Sequence, residues 1–146
     1  RCTCSEKQVE SYLHRVSGPL LDRIDMHITV PSVEYDAMRR REKPESSAVI
    51  RARVNAARAI QQKRFEGTGV SCNAYMTPPM IVQYCALDEA GEKLMRGAFE
   101  RLGLTGRSHD RILRMARTIA DLDASEQIRP AHLAEAIQYR SNSLLK

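Results

Sequence analysis

The chain has 146 residues, of which 42% are hydrophobic and 28% are charged, and its formal net charge is +5. This length corresponds to about one domain, and the composition excludes wholesale disorder. No run approaches the ~20 consecutive apolar residues of a membrane span, and four cysteines do not make a dense disulfide scaffold. We therefore expect a folded cytoplasmic protein with no membrane partner. The start lacks both an apolar signal segment and an initiator methionine, which suggests a piece of a longer protein.

The first thirty residues predict a helix followed by a short strand. Apolar residues recur at helical spacing over residues 6–16, and Gly18 with Pro19 is expected to end that helix. Met26, Ile28 and Val30 alternate with His27 and Thr29, which predicts a strand over 25–30. A single strand cannot form a sheet, so it needs a partner outside this chain or must be rebuilt as an edge.

The remainder is predicted to be a charged linker and then a helical bundle. Residues 31–47 combine charge, Pro and Ser without apolar periodicity, and they include the run Arg39–Arg41, which is either a solvated face or a phosphate-contacting loop. Short loops favour packing of the later helices as neighbours. Five helices are predicted there: 46–65, a short one after Thr77, 88–102, 107–123 and one opening at Pro130.

The helix predicted over 107–123 carries the most suggestive charge pattern. Arg107, Arg111, Arg114 and Arg117 fall within one arc of it, opposite an apolar arc. Guanidinium groups suit phosphate, and arginine in a first helical turn opposes the helix dipole, which hints at an anionic ligand. The alternative is that these arginines pair with Asp and Glu of neighbouring helices.

Other candidate features admit structural explanations. Arg23, between Asp22 and Asp25, is either aimed outward on a turn or held in a local ion pair. Arg53 and Arg64 lie in the apolar arc of their helix, where snorkelling stems are the simpler interpretation. Cys2 and Cys4 are at most half of a zinc site, so no metal is assigned. A GxxxxGK[ST] loop, HExxH and GxSxG are absent, so a self-sufficient enzyme is not supported.

Four stretches resemble the C-terminal part of a magnesium-chelatase-related AAA+ ATPase of the ComM/YifB family. SGPLLDRID and ARTIADL are the most specific parts. The stretches are YLHRVSGPLLDRID at 12–25, RVNAAR at 53–58 with Gln61, DRILRMARTIADL at 110–122 and HLAEAIQYR at 132–140.

The resemblance implies a mainly α fold: a helical AAA+ lid bundle at 46–146, preceded by a helix-plus-strand stub of the α/β ATPase core at 1–31 and a linker at 32–45. It implies that Arg23 is an arginine finger acting on a neighbouring subunit's nucleotide. Arg107 matches the nucleotide-binding sensor-2 position, with Arg111 as the second choice. Cys2 and Cys4 resemble the tail of a four-cysteine insertion whose first half lies upstream.

The implied parent is a homo-oligomeric ring, expected to be a hexamer, that hydrolyses ATP with Mg²⁺ and acts on DNA during competence and branch migration. The segment alone is expected to be inactive and to bind no cofactor tightly, because it lacks the phosphate loop and the Mg²⁺-holding acidic motif. One alternative is the ATPase subunit of a magnesium chelatase. Another is a stand-alone basic helical module that binds nucleic acid or a protein.

Overall fold

The structure, a computed structural model, describes residues 3–35, 39 and 44–140, without the side chains of Gly18 and Asp22. This part of the chain is mainly helical, and none of its helices is both long and apolar enough to cross a bilayer. A 3₁₀ turn, Asn73–Tyr75, precedes the fourth helix. The helices are α1 (Glu6–Leu13), α2 (Gly18–Arg23), α3 (Ser47–Arg64), α4 (Pro78–Tyr84), α5 (Glu89–Leu102), α6 (Gly106–Leu122) and α7 (Pro130–Gln138).

Local signals explain where the five later helices begin and end, and the prediction of these helices is confirmed. The side chains of Ser46, Asp88 and Thr105 each accept a hydrogen bond from a backbone N–H in the first turn of α3, α5 and α6. Prolines open α4 and α7, where a missing N–H costs nothing. Gly103 ends α5 in the left-handed conformation, with φ of 60°.

The core is built around α6, which packs against α3, α4, α7 and the 3₁₀ turn, while α5 packs on α7. Ile112 of α6 and Leu133 of α7 are both fully buried, and each contributes roughly 1.5–3 kcal/mol relative to an exposed position. The first half of α3 lies outside this core, because residues 47–56 are all exposed. The buried cluster comprises Phe65, Met76, Ile81, Cys85, Met95, Ile112, Leu113, Ala116, Ala120, Ile128, Leu133 and Ala136.

Two predictions for the first thirty residues are wrong. The first helix ends at Leu13, and Gly18 and Pro19 begin α2 rather than ending α1, because Ser17 is extended and serves as its N-cap. Asp25–Val30 forms no strand with any described residue. The backbone of this segment has no ladder partner in the part of the chain that the structure describes, and the alternating apolar side chains Met26, Ile28 and Val30 are exposed.

The predicted linker is only partly described. Residues 31–35 are exposed, as is Arg39, whereas residues 40 and 41 of the arginine run lie outside the described residues.

Candidate functional site

Arg23 is the last residue of α2, and its side chain is exposed. Ile24 follows with φ of −85° and ψ of 127°, so the chain leaves the helix directly after Arg23. Asp25, which could have paired locally with Arg23, instead accepts a hydrogen bond from Arg111 at 2.7 Å. Within the described part of the chain, no hydrogen bond or ion pair occupies the Arg23 guanidinium.

The segment 23–27, which we call the finger turn after the role that the sequence predicts for Arg23, is attached to the C-terminal bundle by its backbone. Arg111 Nη1 donates to the carbonyl oxygen of Arg23 at 2.6 Å, and Arg140 Nη1 donates to the carbonyl of Ile24 at 2.8 Å. The amide of His27 donates to the carbonyl of Tyr139 at 2.7 Å. Arg111 of α6 and the two residues that follow α7 therefore fix the backbone that carries Arg23.

The four arginines predicted to share a face of α6 have different environments. Arg107 lies in the first turn and is exposed, and no described residue pairs with its guanidinium. Arg111 is half-buried on the finger turn. Arg114 Nη2 donates to the carbonyl of Met76 at 2.9 Å, while its buried Nε has no partner among the described residues.

Arg117 belongs to a buried polar network centred on Asp121. Both carboxylate oxygens of Asp121 are engaged: Arg117 Nε donates at 3.1 Å, Asn73 Nδ2 at 2.8 Å, and Arg64 donates through both terminal nitrogens. Arg117 also donates to the carbonyls of Ser125 and Glu126, at 2.5 and 2.8 Å. Burial lowers the pKa of Arg117, and the nearby Asp121 carboxylate opposes that shift.

The structure corrects the interpretation of Arg64 and Arg53. Arg64 is not a stem covering the core edge, because its guanidinium is paired with the buried Asp121. Arg53 is exposed and forms a two-pronged pair with Glu45, at 2.8 and 3.1 Å. Sequence reasoning missed Asp121, although an acidic residue inside an apolar stretch and two arginines near apolar arcs indicate a buried counter-charge.

A cavity of about 300 Å³ is lined by residues of the finger turn, the 3₁₀ turn and α6. Asp25 and Met26 line it on one side, and Arg111, Arg114 and Met115 line it on the other. The space between the finger turn and α6 thus combines guanidinium groups with methionine side chains.

The described residues contain no cluster of three side chains suited to holding a metal ion. Cys4 is exposed, and Cys2, its partner in the proposed half-site, lies outside the described residues. Burial raises the pKa of the Cys85 thiol to about 11, with Arg117, Arg64 and Arg114 opposing the shift, so this thiol is neutral near pH 7.

Two family models match the chain. The model for the C-terminal part of magnesium chelatase subunit ChlI matches residues 44–140, and the model for magnesium chelatase subunit ChlI matches residues 1–38. Together they include the finger turn and the whole helical bundle.

Individual relatives match along nearly the whole chain. The uncharacterized protein YifB of Escherichia coli is 40% identical over 94% of this chain and 27% of its own length. Competence protein ComM of Haemophilus influenzae is 38% identical over 94% of this chain and 26% of its own length. The uncharacterized protein Rv2897c of Mycobacterium tuberculosis is 30% identical over 95% of this chain and 27% of its own length. The chain thus spans about a quarter of the length of these relatives.

Proposed function

Because this chain belongs to the family of the C-terminal part of magnesium chelatase subunit ChlI, we propose that it supplies the arginine finger and the lid of an AAA+ ATPase. The observation that carries the proposal is Arg23: its guanidinium is exposed and unpaired among the described residues, while its backbone is fixed to the bundle. A guanidinium that is exposed and unpaired among the described residues, on a backbone held in place, is suited to binding a ligand outside this chain. The likeness to ComM and YifB agrees with this assignment.

In the proposed mechanism, Arg23 stabilises the negative charge that develops on the phosphoryl group bound by a neighbouring subunit. Guanidinium is permanently charged and presents a planar fork of donors that fits phosphate oxygens. A finger of this kind is worth roughly 10³–10⁵ in rate. Because Arg23 takes no proton, its contribution is electrostatic and depends on correct placement.

Arg107 is the proposed sensor-2 residue of the lid. Its exposed side chain stands in the first turn of α6, where the helix dipole favours an anion and disfavours an unpaired cation. A bound phosphate would remove that conflict, so Arg107 fits a nucleotide-binding role. In this proposal the phosphate-binding loop and the Mg²⁺ ligands belong to another part of the ATPase, and we expect no tight ATP or Mg²⁺ binding by this chain alone.

The proposed parent is a cytoplasmic homo-oligomeric ring that acts on DNA, as in competence and branch migration. Support for DNA as the client comes from the positive charge and from the likeness to a competence protein. The name of the matching family favours a second candidate, the ATPase subunit of a magnesium chelatase. Assays of the whole protein with branched DNA and with a porphyrin and Mg²⁺ separate the two clients.

The stand-alone nucleic-acid module has less support. Arg114 and Arg117 donate to protein carbonyls, and Arg111 is bound to the finger turn, so most of the predicted arginine face is occupied. A salt titration of DNA binding by the chain tests this directly. We expect no measurable binding, whereas useful affinity with a steep salt dependence would favour the module.

The test of the finger is Arg23→Ala in the whole protein. We expect ATP turnover to be abolished while nucleotide binding survives, because the finger serves a neighbouring site and not the subunit's own. Arg15→Ala is the matched control, since Arg15 is also an exposed arginine of the N-terminal segment and its guanidinium lies over the Tyr12 ring. Turnover of Arg23→Ala at the wild-type rate would remove the finger assignment.

A further inference from the structure

Arg111 joins the lid to the finger turn through a single nitrogen. Its Nη1 donates both to the carbonyl oxygen of Arg23, at 2.6 Å, and to Oδ1 of Asp25, at 2.7 Å. These residues are 88 and 86 positions away in the sequence. Asp25 holds the guanidinium from one side, so that the remaining donor of this nitrogen is aimed at the backbone of the finger residue.

This contact of Arg111 with the finger turn, which we call the Arg111 bridge, restrains Arg23, the residue whose placement matters for the proposed catalysis. Arg140 and His27 fix the backbone at the residues after Arg23, whereas Arg111 fixes the carbonyl of Arg23 itself. Arg107 lies one turn before Arg111 on α6, a rise of about 6 Å along the helix axis. The proposed finger and the proposed sensor-2 residue are therefore tied to one rigid helix through Arg111.

The Arg111 bridge is also separable from the stability of the bundle. The side chain of Asp25 is 66% exposed and that of the half-buried Arg111 is 23% exposed, so water screens this pair on the Asp25 side and the pair contributes little to folding. The stability of the bundle comes instead from the buried cluster and the Asp121 network, neither of which contains Arg111. Removing the bridge should loosen the finger without unfolding the domain.

We propose that Arg111 is a positioning residue for ATP hydrolysis, holding the Arg23 backbone on α6 so that a lid movement sensed at Arg107 also moves the finger. This rests on the proposed function, because it presumes that Arg23 acts as a finger. It gives Arg111 a role different from the nucleotide contact that the sequence offered as a second choice. Arg111 acts through Arg23 and touches no substrate.

The experiment measures ATP turnover of the whole protein carrying Arg111→Met, which keeps the stem and removes the donors. We expect kcat to fall by about tenfold or more, with KM for ATP within about twofold of wild type and an unchanged thermal midpoint, because misplacement of a reacting group by about 1 Å costs up to ~10²-fold. Arg111→Lys, which retains a charged donor on a shorter stem, should restore part of kcat. Arg129→Met is the matched control, since it removes an exposed arginine paired with Asp123.

Several outcomes would overturn the positioning role. A wild-type kcat in Arg111→Met would do so, as would a large rise in KM, which would indicate direct nucleotide contact. A fall in the thermal midpoint that accounts for the lost activity would make Arg111 merely structural. Should Arg111→Met fail to fold, Asp25→Ala removes the carboxylate that orients Arg111, and a kcat at the wild-type level there would reject the proposal.

Arg23→Ala separates failure of this inference from failure of the proposed function. An inactive Arg23→Ala with a fully active Arg111→Met rejects only the positioning role. A fully active Arg23→Ala rejects the finger and the positioning role together. In the double variant we expect no loss beyond that of Arg23→Ala, since Arg111 acts through Arg23.

Discussion

Replacing Asp121 by Asn should severely destabilise the helical bundle. Asp121 is 2% exposed and accepts hydrogen bonds from Arg64, Asn73 and Arg117. Its negative charge therefore offsets part of the positive charge of the Arg64 and Arg117 guanidiniums. An amide of the same size leaves both arginines without their carboxylate and turns one acceptor into a donor that faces other donors. Removing one member of a buried ion pair costs roughly 3–5 kcal/mol. That is a large share of the roughly 5–15 kcal/mol by which domains are stable.

The measurement is urea unfolding of the chain followed by far-ultraviolet circular dichroism. Asp123→Asn is the matched control, because Asp123 lies two residues further along, is 56% exposed and pairs with the 61% exposed Arg129. It also accepts from His132, a bond that the side-chain oxygen of Asn can still accept. The control should lose no more than about 1 kcal/mol. For a chain of 146 residues, each kcal/mol corresponds to about 2–4 °C, so Asp121→Asn should lower the thermal midpoint by about 6 °C or more. Equal stabilities of the two variants would refute the assignment of Asp121 as the centre of a buried network.

Three further predictions follow from individual residues. Burial raises the pKa of the Cys85 thiol from 9.0 to about 11, so between these pH values the folded state keeps a proton that the unfolded chain loses. As the pH rises from 9 to about 11, the free energy of unfolding should therefore fall by up to roughly 1.4 kcal/mol per pH unit. Urea midpoints of wild type and Cys85→Ala across this window check it, and parallel pH dependences would contradict it. Gly103→Ala should destabilise the chain by about 1 kcal/mol, because φ is 60° at this position. The control Gly106→Ala should be neutral or slightly stabilising, because Gly106 has open space around it and no positive φ. Equal free energies of unfolding for the two variants would show that the left-handed conformation at Gly103 does not matter. In the whole protein, Arg107→Ala should weaken the response to nucleotide or the rate of ATP turnover. Arg101→Ala, which removes an exposed arginine from the last turn of α5, is the control. Wild-type behaviour of Arg107→Ala would reject the sensor-2 role of Arg107.

The later helices could be predicted from the sequence because their signals are local. Thr105, Pro78, Pro130 and Gly103 act on the backbone within one turn, so their effect does not depend on distant residues. The strand over 25–30 could not be predicted in the same way. Alternation shows which side chains could share a face, but a strand also needs a second strand to receive its hydrogen bonds.

The pairing of the arginines could not be predicted, since spacing on one helix does not reveal what the neighbouring elements present. Arg107 and Arg117 share an arc of the helix predicted from the sequence, yet Arg107 is exposed, whereas Arg117 is 2% exposed and donates a hydrogen bond to Asp121. The contact of Arg111 with the finger turn joins residues more than 80 positions apart. The sequence therefore placed all four arginines on one helix, and the fold distinguishes the buried, structural Arg117 from the exposed Arg107.

The central claim, that Arg23 acts on a neighbouring subunit's nucleotide, is tested most directly by subunit complementation in the whole protein. Subunits carrying Arg23→Ala keep their own nucleotide site, whereas subunits with a disabled phosphate-binding loop keep Arg23; each should be inactive alone. In a randomly mixed ring, about a quarter of the sites would combine an intact nucleotide site with a neighbour's finger. We predict that mixing restores ATP turnover toward that fraction. A mixture that remains as inactive as its two components would contradict the account.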